Sequence, residues 1–96
     1  MNSTTAGATL KKVPVQVEGL KEGYDVSGVP PTVEIGLIGP SMDIYTTKLT
    51  SNYEVYCDLS EYNEGTHHVT LKTRNFDSDL TVMLIPETVT IQILPK

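Results

Sequence analysis

Few residues in this chain are of a type and spacing that could do chemistry, and each candidate has a structural alternative. The adjacent pair His67-His68 suggests a metal site, but neighbouring residues on a strand point to opposite faces, so the two imidazoles cannot chelate one ion together. One ring is expected near the core edge and the other in solvent. Asp77-Ser78-Asp79 offers two carboxylates, yet the alternating ligands and the distant bidentate Glu of a calcium loop do not follow, so it reads as a solvated turn. Cys57 alternates with Val55 and Leu59, which predicts burial and a raised pKa rather than an activated thiolate. Glu22, Glu61 and Glu64 fall in charged turns, the usual place of a solvated rim. Phosphate-binding loops, nucleophile elbows, G-x-G-x-x-G and C-x-x-C are all absent. The expectation is that the chain is not an enzyme and takes no cofactor and no metal.

The elements that must position these residues are strands. Ten Val, six Ile and thirteen Thr stand against two Ala, and stiff β-branched side chains fit a pleated surface. Val13, Val15 and Val17 share one face of a first strand, which Pro14 assigns to a sheet edge because proline has no N–H to give to a ladder. Gly19 and Gly23 bracket a turn before Tyr24-Asp25-Val26. Val33, Ile35 and Leu37 alternate up to a break at Gly39-Pro40. Met42, Tyr45 and Leu49 are spaced three and four apart, so Ser41–Thr50 is the one segment with a helical period. Three threonines in it limit the expectation to one short helical turn.

Tyr53, Val55 and Cys57 share a face of the next strand, which Asp58-Leu59-Ser60 ends because Asp and Ser side chains bond backbone N–H groups two residues on. That leaves Tyr56 on the opposite face as a candidate interaction residue, tyrosine being enriched at binding hot spots. Further strands are expected around Val69 and Leu71, over Leu80–Ile85 and, after Pro86, over Val89, Ile91 and Ile93. The runs beginning at Pro30 and Pro86 both read P-x-T-V-x-I, and a proline ahead of an alternating run fixes the direction from which the strand is launched. The fold expected is all-β, a compact single domain of about 6–8 short strands, sandwich- or barrel-like, over residues 13–96. Residues 1–12 are expected to be a flexible tail, and the sequon Asn2-Ser3-Thr4 reads as a chance match in it.

At 96 residues the chain is one domain, and twelve acidic against seven basic residues leave a net charge of −5, which repels nucleic acid and anionic lipid. No run approaches the roughly 20 apolar residues of a membrane span. One cysteine permits no internal disulfide.

The succession Val13-x-Val15, Gly19-Leu20, Gly23-Tyr24-x-Val26, Pro30-x-Thr32-Val33-x-Ile35-x-Leu37-x-Gly39-Pro40-Ser41, Asp58-Leu59-Ser60, Gly65-Thr66 and Pro86-x-x-Val89-x-Ile91 resembles the YbbR domain. The resemblance implies a small, mostly β module with strands that cross and wrap the domain, often in tandem, in parents with one N-terminal membrane helix that holds the modules outside the cytoplasm. It implies association with a membrane diadenylate cyclase and adjustment of cyclic di-AMP output, with neighbouring YbbR repeats and the cyclase as protein partners. The isolated domain is expected to be monomeric and not to insert in a membrane. The matched residues Gly19, Gly23, Tyr24, Pro30, Val33, Gly39, Pro40, Asp58, Leu59, Gly65, Pro86 and Val89 carry a structural motif, not a catalytic one. The alternative is a structural spacer, or a module in a tandem array that contacts the cell wall.

Overall fold

The computed structural model describes residues 4–96. Eight strands and one helix follow in the order β1 (Thr5–Glu18), β2 (Tyr24–Ser27), β3 (Thr32–Pro40), α1 (Ser41–Thr50), β4 (Glu54–Asp58), β5 (Gly65–Thr70), β6 (Lys72–Arg74), β7 (Thr81–Ile85) and β8 (Thr88–Pro95). They form a five-stranded sheet of order β6-β4-β1-β3-β7 and a three-stranded sheet of order β2-β8-β5. The domain measures 57 × 20 × 19 Å.

β1 explains the length. Its first part pairs antiparallel with β3 from Thr5↔Pro40 to Pro14↔Thr32, and its last part pairs parallel with β4 from Val15↔Val55 to Glu18↔Asp58. The register shifts between Leu10 and Val13, where Lys12 adopts a φ of 55°, a bulge that re-aims the strand from one partner to the other. From Thr5 onward the expected tail is therefore strand. Ala6, Ala8 and Leu10 alternate toward the interior opposite Gly39, Leu37 and Ile35, a period that the small side chains hide from a hydropathy reading. Asn2 and Ser3 of the sequon lie outside the described residues.

The edge position inferred from Pro14 is also corrected, because β1 is the central strand of the large sheet. Val15 N–H donates to the Pro31 carbonyl at 3.0 Å, so N–H groups on that side face β3. The Pro14 nitrogen points the other way, where pairing with β4 begins only at Val15. The missing donor thus costs no ladder bond.

Inward residues of the two sheets meet in one continuous core. Val33, Ile35 and Leu37 on β3, Val55 and Cys57 on β4, and Val89, Ile91 and Ile93 on β8 are all buried. The runs after Pro30 and Pro86 place equivalent positions inward, one in each sheet. The expected strand through Val69 and Leu71 is divided: β5 pairs with β8 and β6 with β4, and buried Leu71 marks the crossing, its N–H donating to the Glu87 carbonyl at 2.8 Å.

The helix runs ten residues, longer than a single turn. Its threonines are accommodated because Thr47 Oγ1 donates to the Asp43 carbonyl at 2.7 Å and Thr50 Oγ1 to the Thr46 carbonyl at 2.9 Å, the back-bonding that satisfies a hydroxyl inside a helix. Asp43 in the first turn and Lys48 in the last complement the helix dipole. Ser51 ends it in the left-handed conformation, its N–H donating to the Thr47 carbonyl at 2.9 Å.

Candidate interaction surfaces

The residues with chemical potential are dispersed, and most are committed to local structure. The Cys57 Sγ has no exposure, and burial, then the adjacent Asp58 charge, push its thiol up. A thiol kept protonated and covered is a poor nucleophile. Labelling of the native protein with a disulfide reagent is therefore expected to proceed only through opening of the fold and to become fast in urea; stoichiometric labelling within seconds under native conditions is the result that contradicts burial.

The histidine rings do point to opposite faces. His67 lies tilted against Tyr62, with 5.0 Å between ring centroids, and its Nε2–H donates to the Asn63 carbonyl at 2.6 Å. His68 Nδ1 meets Thr90 Oγ1 at 2.9 Å across the β5–β8 ladder. Asp77 makes a turn in which its Oδ1 accepts the Asp79 N–H at 2.8 Å. Asp43 of α1 joins the two, so that three carboxylates offer oxygen atoms within 4.8 Å of one another. Sequence spacing hides this neighbour, 34 residues before Asp77. Desolvation beside the helix, then the charges of Asp77 and Asp79, hold the Asp43 carboxyl above its ordinary value. Such a cluster suits a hard cation or a cationic side chain.

Tyr56 lies on the outward face of the large sheet and is half-buried. The Arg74 guanidinium covers its ring at 3.9 Å, forms an ion pair with Glu18, and approaches Glu54 at 2.9 Å without hydrogen-bond alignment. Gln16 Nε2 donates to Glu54 at 3.1 Å beside it. No sequence signal pairs Arg74 with Tyr56, because the β4–β6 register that brings them together is non-local. Each exposed ion pair of this kind contributes only about 0–1 kcal/mol, but together they set the polarity of the face.

The motif residues fall into three groups along the domain. Gly39 and Pro40 lie at the end of β3 where α1 starts, and Pro30, Val33, Pro86 and Val89 lie near the middle, with Val33 and Val89 buried. Gly19, Gly23, Tyr24, Asp58, Leu59 and Gly65 gather at the far end. There Asp58 Oδ1 accepts both the Ser60 N–H at 3.0 Å and the Ser60 hydroxyl at 2.7 Å. This turn packs so closely under Gly19 that a Cβ would sit 2.8 Å from Ser60 N. The bonds from Ser60 hold the Asp58 carboxyl below its ordinary value. Because the folded-state pKa is depressed, the stabilisation is present above the unfolded value of about 3.9 and is lost as pH falls through the folded one. Asp58→Asn keeps the acceptor oxygen but not the titration, so its urea midpoint is expected to fall less than that of the parent below pH 4. Parallel acid limbs would contradict the assignment.

Two further features adjoin these groups. At the far end the turns around Leu20 and Asn63 line an open concavity of 190 Å³ together with Lys21, Tyr24, Tyr62, Glu64 and Ile93. Lys21 Nζ donates to Asn63 Oδ1 at 3.2 Å there. At the α1 end, Met42, Tyr45 and Leu49 point outward, and Ile44 alone in the helix is buried.

A small elongated β module, its polar groups engaged in turns and surface ion pairs and its most exposed apolar side chains on α1, is the class of protein that fold and surface define. The chain belongs to the YbbR family: the family model described as YbbR-like protein matches residues 13–93. It is 37% identical over 91 residues to the CdaA regulatory protein CdaR of Bacillus subtilis, covering 95% of this chain and 19% of that protein. The chain thus spans about a fifth of the length of its curated relative. A solved YbbR-like domain from Listeria monocytogenes superposes with a TM-score of 0.90 at 31% identity, covering 95% of both chains. A YbbR-like protein from Streptococcus pneumoniae gives a TM-score of 0.86 at 23% identity, covering 99% of this chain and 50% of that one, a likeness of fold. No helix among the described residues is long and apolar enough to cross a membrane.

Proposed function

We propose that this chain is a non-enzymatic protein-interaction module, one repeat of a membrane-anchored YbbR-type regulator, acting on the extracytoplasmic side to adjust a membrane diadenylate cyclase and its output of cyclic di-AMP. The observation that carries the reading is 37% identity across nearly the whole chain to a protein named for regulating CdaA. A net charge of −5 supports protein partners over nucleic acid or anionic lipid. The motif residues serve as the scaffold in this reading: the Gly19, Gly23, Asp58 and Gly65 turns fix one end, and Tyr56 with its Arg74 cover offers a polar-aromatic contact face.

A second reading, a spacer or wall-contacting module in a tandem array, is favoured by the shape. The Thr4 carbonyl accepts the Ser41 N–H at 2.8 Å beside α1, whereas Lys96 N–H donates to the Gly23 carbonyl at 2.9 Å. Thr4 and Lys96 therefore lie at opposite ends of the long dimension, a geometry that suits a spacer. The readings separate in cells whose parent protein lacks residues 13–96, compared with replacement by an unrelated β module of equal length, with cyclic di-AMP as the readout. If deletion changes output and replacement does not restore it, the module regulates through its own surface. Restoration by the replacement supports the spacer, and unchanged output in both strains overturns the regulatory reading.

A further inference from the structure

Four strands end the two sheets, and one of them is left open. β2 carries Asp25, β6 carries Lys72 and Arg74, and β5 carries two histidines, polar side chains of the kind that blunt an edge. β7 reads Thr81-Val82-Met83-Leu84-Ile85, with no charge, no proline and an unbroken register on β3 from Ile38↔Thr81 to Glu34↔Ile85. No strand lies beyond it, and among the described residues no turn or loop backbone bonds to Thr81–Ile85 on that side. In an antiparallel pair only alternate residues turn N–H and C=O to the partner, so the rest of β7 turns these groups away from β3.

Both faces of this edge are apolar. Val82 and Leu84 share the inward side with buried Leu37 and Ile35 but are themselves only half-buried. They open on a concavity of 260 Å³ that Leu71, Thr73 and Glu87 also line; no residue of β3 reaches it, so it lies beyond β7, between the two margins of the large sheet. On the outer side Met83 and Ile85 are exposed next to Ile38 of β3. The ends of the strand are acidic. Asp77 and Asp79 precede it, with Asp43 beside them, and Glu87 follows; none of the four belongs to an ion pair among the described residues. The cations of β6 are engaged elsewhere, Lys72 turned to Asp58 at 3.9 Å and Arg74 paired with Glu18.

We propose that β7 accepts an extended segment of a partner protein as a further strand of the large sheet, a segment whose inward side chains are apolar and whose ends carry Lys or Arg. The open ladder groups require a strand, because an extended backbone supplies donors and acceptors at their spacing. Val82, Leu84 and the concavity beside them set the preference for apolar side chains, and the acids at both ends set that for cations. The same charges oppose a second copy. Antiparallel pairing of two β7 strands about Met83 puts Asp79 of each opposite Glu87 of the other, and parallel pairing sets each acid beside its own counterpart. Such a contact deepens the reading of the chain as a protein-interaction module and rests on it.

The test uses the purified chain and the synthetic peptide Lys-Lys-Val-Thr-Val-Thr-Val-Lys-Lys, followed by heteronuclear NMR and amide hydrogen exchange. In the free chain alternate amides of Thr81–Ile85 are expected to exchange slowly, through their bonds to β3, and those between them to exchange fast. Saturating peptide is expected to shift the resonances of β7 and to slow the fast amides at least about tenfold. A peptide with the same centre and Glu at its ends is expected to bind at least about tenfold more weakly at low salt, attraction having become repulsion at both ends. One methylated at the backbone nitrogens of its pairing edge is expected not to bind. Asp79→Lys combined with Glu87→Lys is expected to reverse the order of the two charged peptides; both residues are exposed, and an unchanged thermal midpoint verifies that the fold survives. No slowing of β7 amides at about 1 mM peptide, equal binding of the two charged peptides, or binding of the methylated one overturns the proposal. So do shifts of β7 with protein concentration in the absence of peptide, which assign the edge to a second copy. The cyclase reading is tested by cyclic di-AMP output and this contact by purified protein and peptide, so each can fail without the other.

Discussion

Gly28→Ala is expected to destabilise the domain by about 3 kcal/mol or more, two costs acting together. Gly28 has a φ of +95°, a conformation that side chains rarely adopt, and a Cβ there would lie 2.5 Å from the Thr90 carbonyl oxygen and 3.2 Å from Ile91 Cα. Both atoms belong to the backbone of β8, the middle strand of the small sheet, so neither can turn aside as a side-chain tip would. Gly23→Ala is the control: φ is +88°, but nothing lies within 4 Å, so only the conformational cost of about 1 kcal/mol applies. Urea unfolding of the two variants separates the effects. Equal midpoints would mean that the approach to Thr90 is not the constraint described.

Leu59→Ala is expected to cost about 3–4 kcal/mol, within the range of buried leucine truncations. The side chain is 1% exposed at the end of β4, and its backbone is bonded twice: its N–H donates to the Glu18 carbonyl at 2.8 Å and its carbonyl accepts the Tyr62 N–H at 3.0 Å. With the backbone held on both sides, the site cannot collapse around the missing methyl groups, so the cavity persists. At about 4–8 °C per kcal/mol for a domain of this size, the melting temperature should fall by more than about 10 °C. A loss under about 1 kcal/mol would show that the core relaxes around this position.

Where burial is strictly alternate, the strands were legible. β3, β4 and β8 lie where Val33-x-Ile35-x-Leu37, Val55-x-Cys57 and Val89-x-Ile91-x-Ile93 put them, because a sheet with one face in the core leaves a period of two in the sequence. The Asp58 turn was legible for a similarly local reason, since its acceptor and donor are two residues apart. The first half of β1 was not. Its inward residues begin with Ala6 and Ala8, too small to stand out, and its partner is β3, some 30 residues on. Pro14 misled because the rule against proline inside sheets concerns the direction of one N–H, and that direction depends on which partner strand has already begun.

The candidate surfaces were less legible still. The spacing of Met42, Tyr45 and Leu49 marked a helical stripe but could not say which side the core would take, and a single buried isoleucine one position before Tyr45 decided it. Asp43 beside Asp77, and Arg74 over Tyr56, come together through contacts distant in sequence. The hollow around Leu20 is built by two turns about 40 residues apart, each of which reads separately as an ordinary polar turn.

The long β1 strand has a mechanical consequence. Tension applied between Thr4 and Lys96 pulls along β1 at one end and along β8 at the other, nearly parallel to the long dimension of the domain. The rungs joining β1 to β3 and β4, and β8 to β2 and β5, lie across that direction. They are loaded in shear, many at once, and not peeled open in succession. A pull of this kind on the domain is resisted by whole ladders, which yield only by slipping.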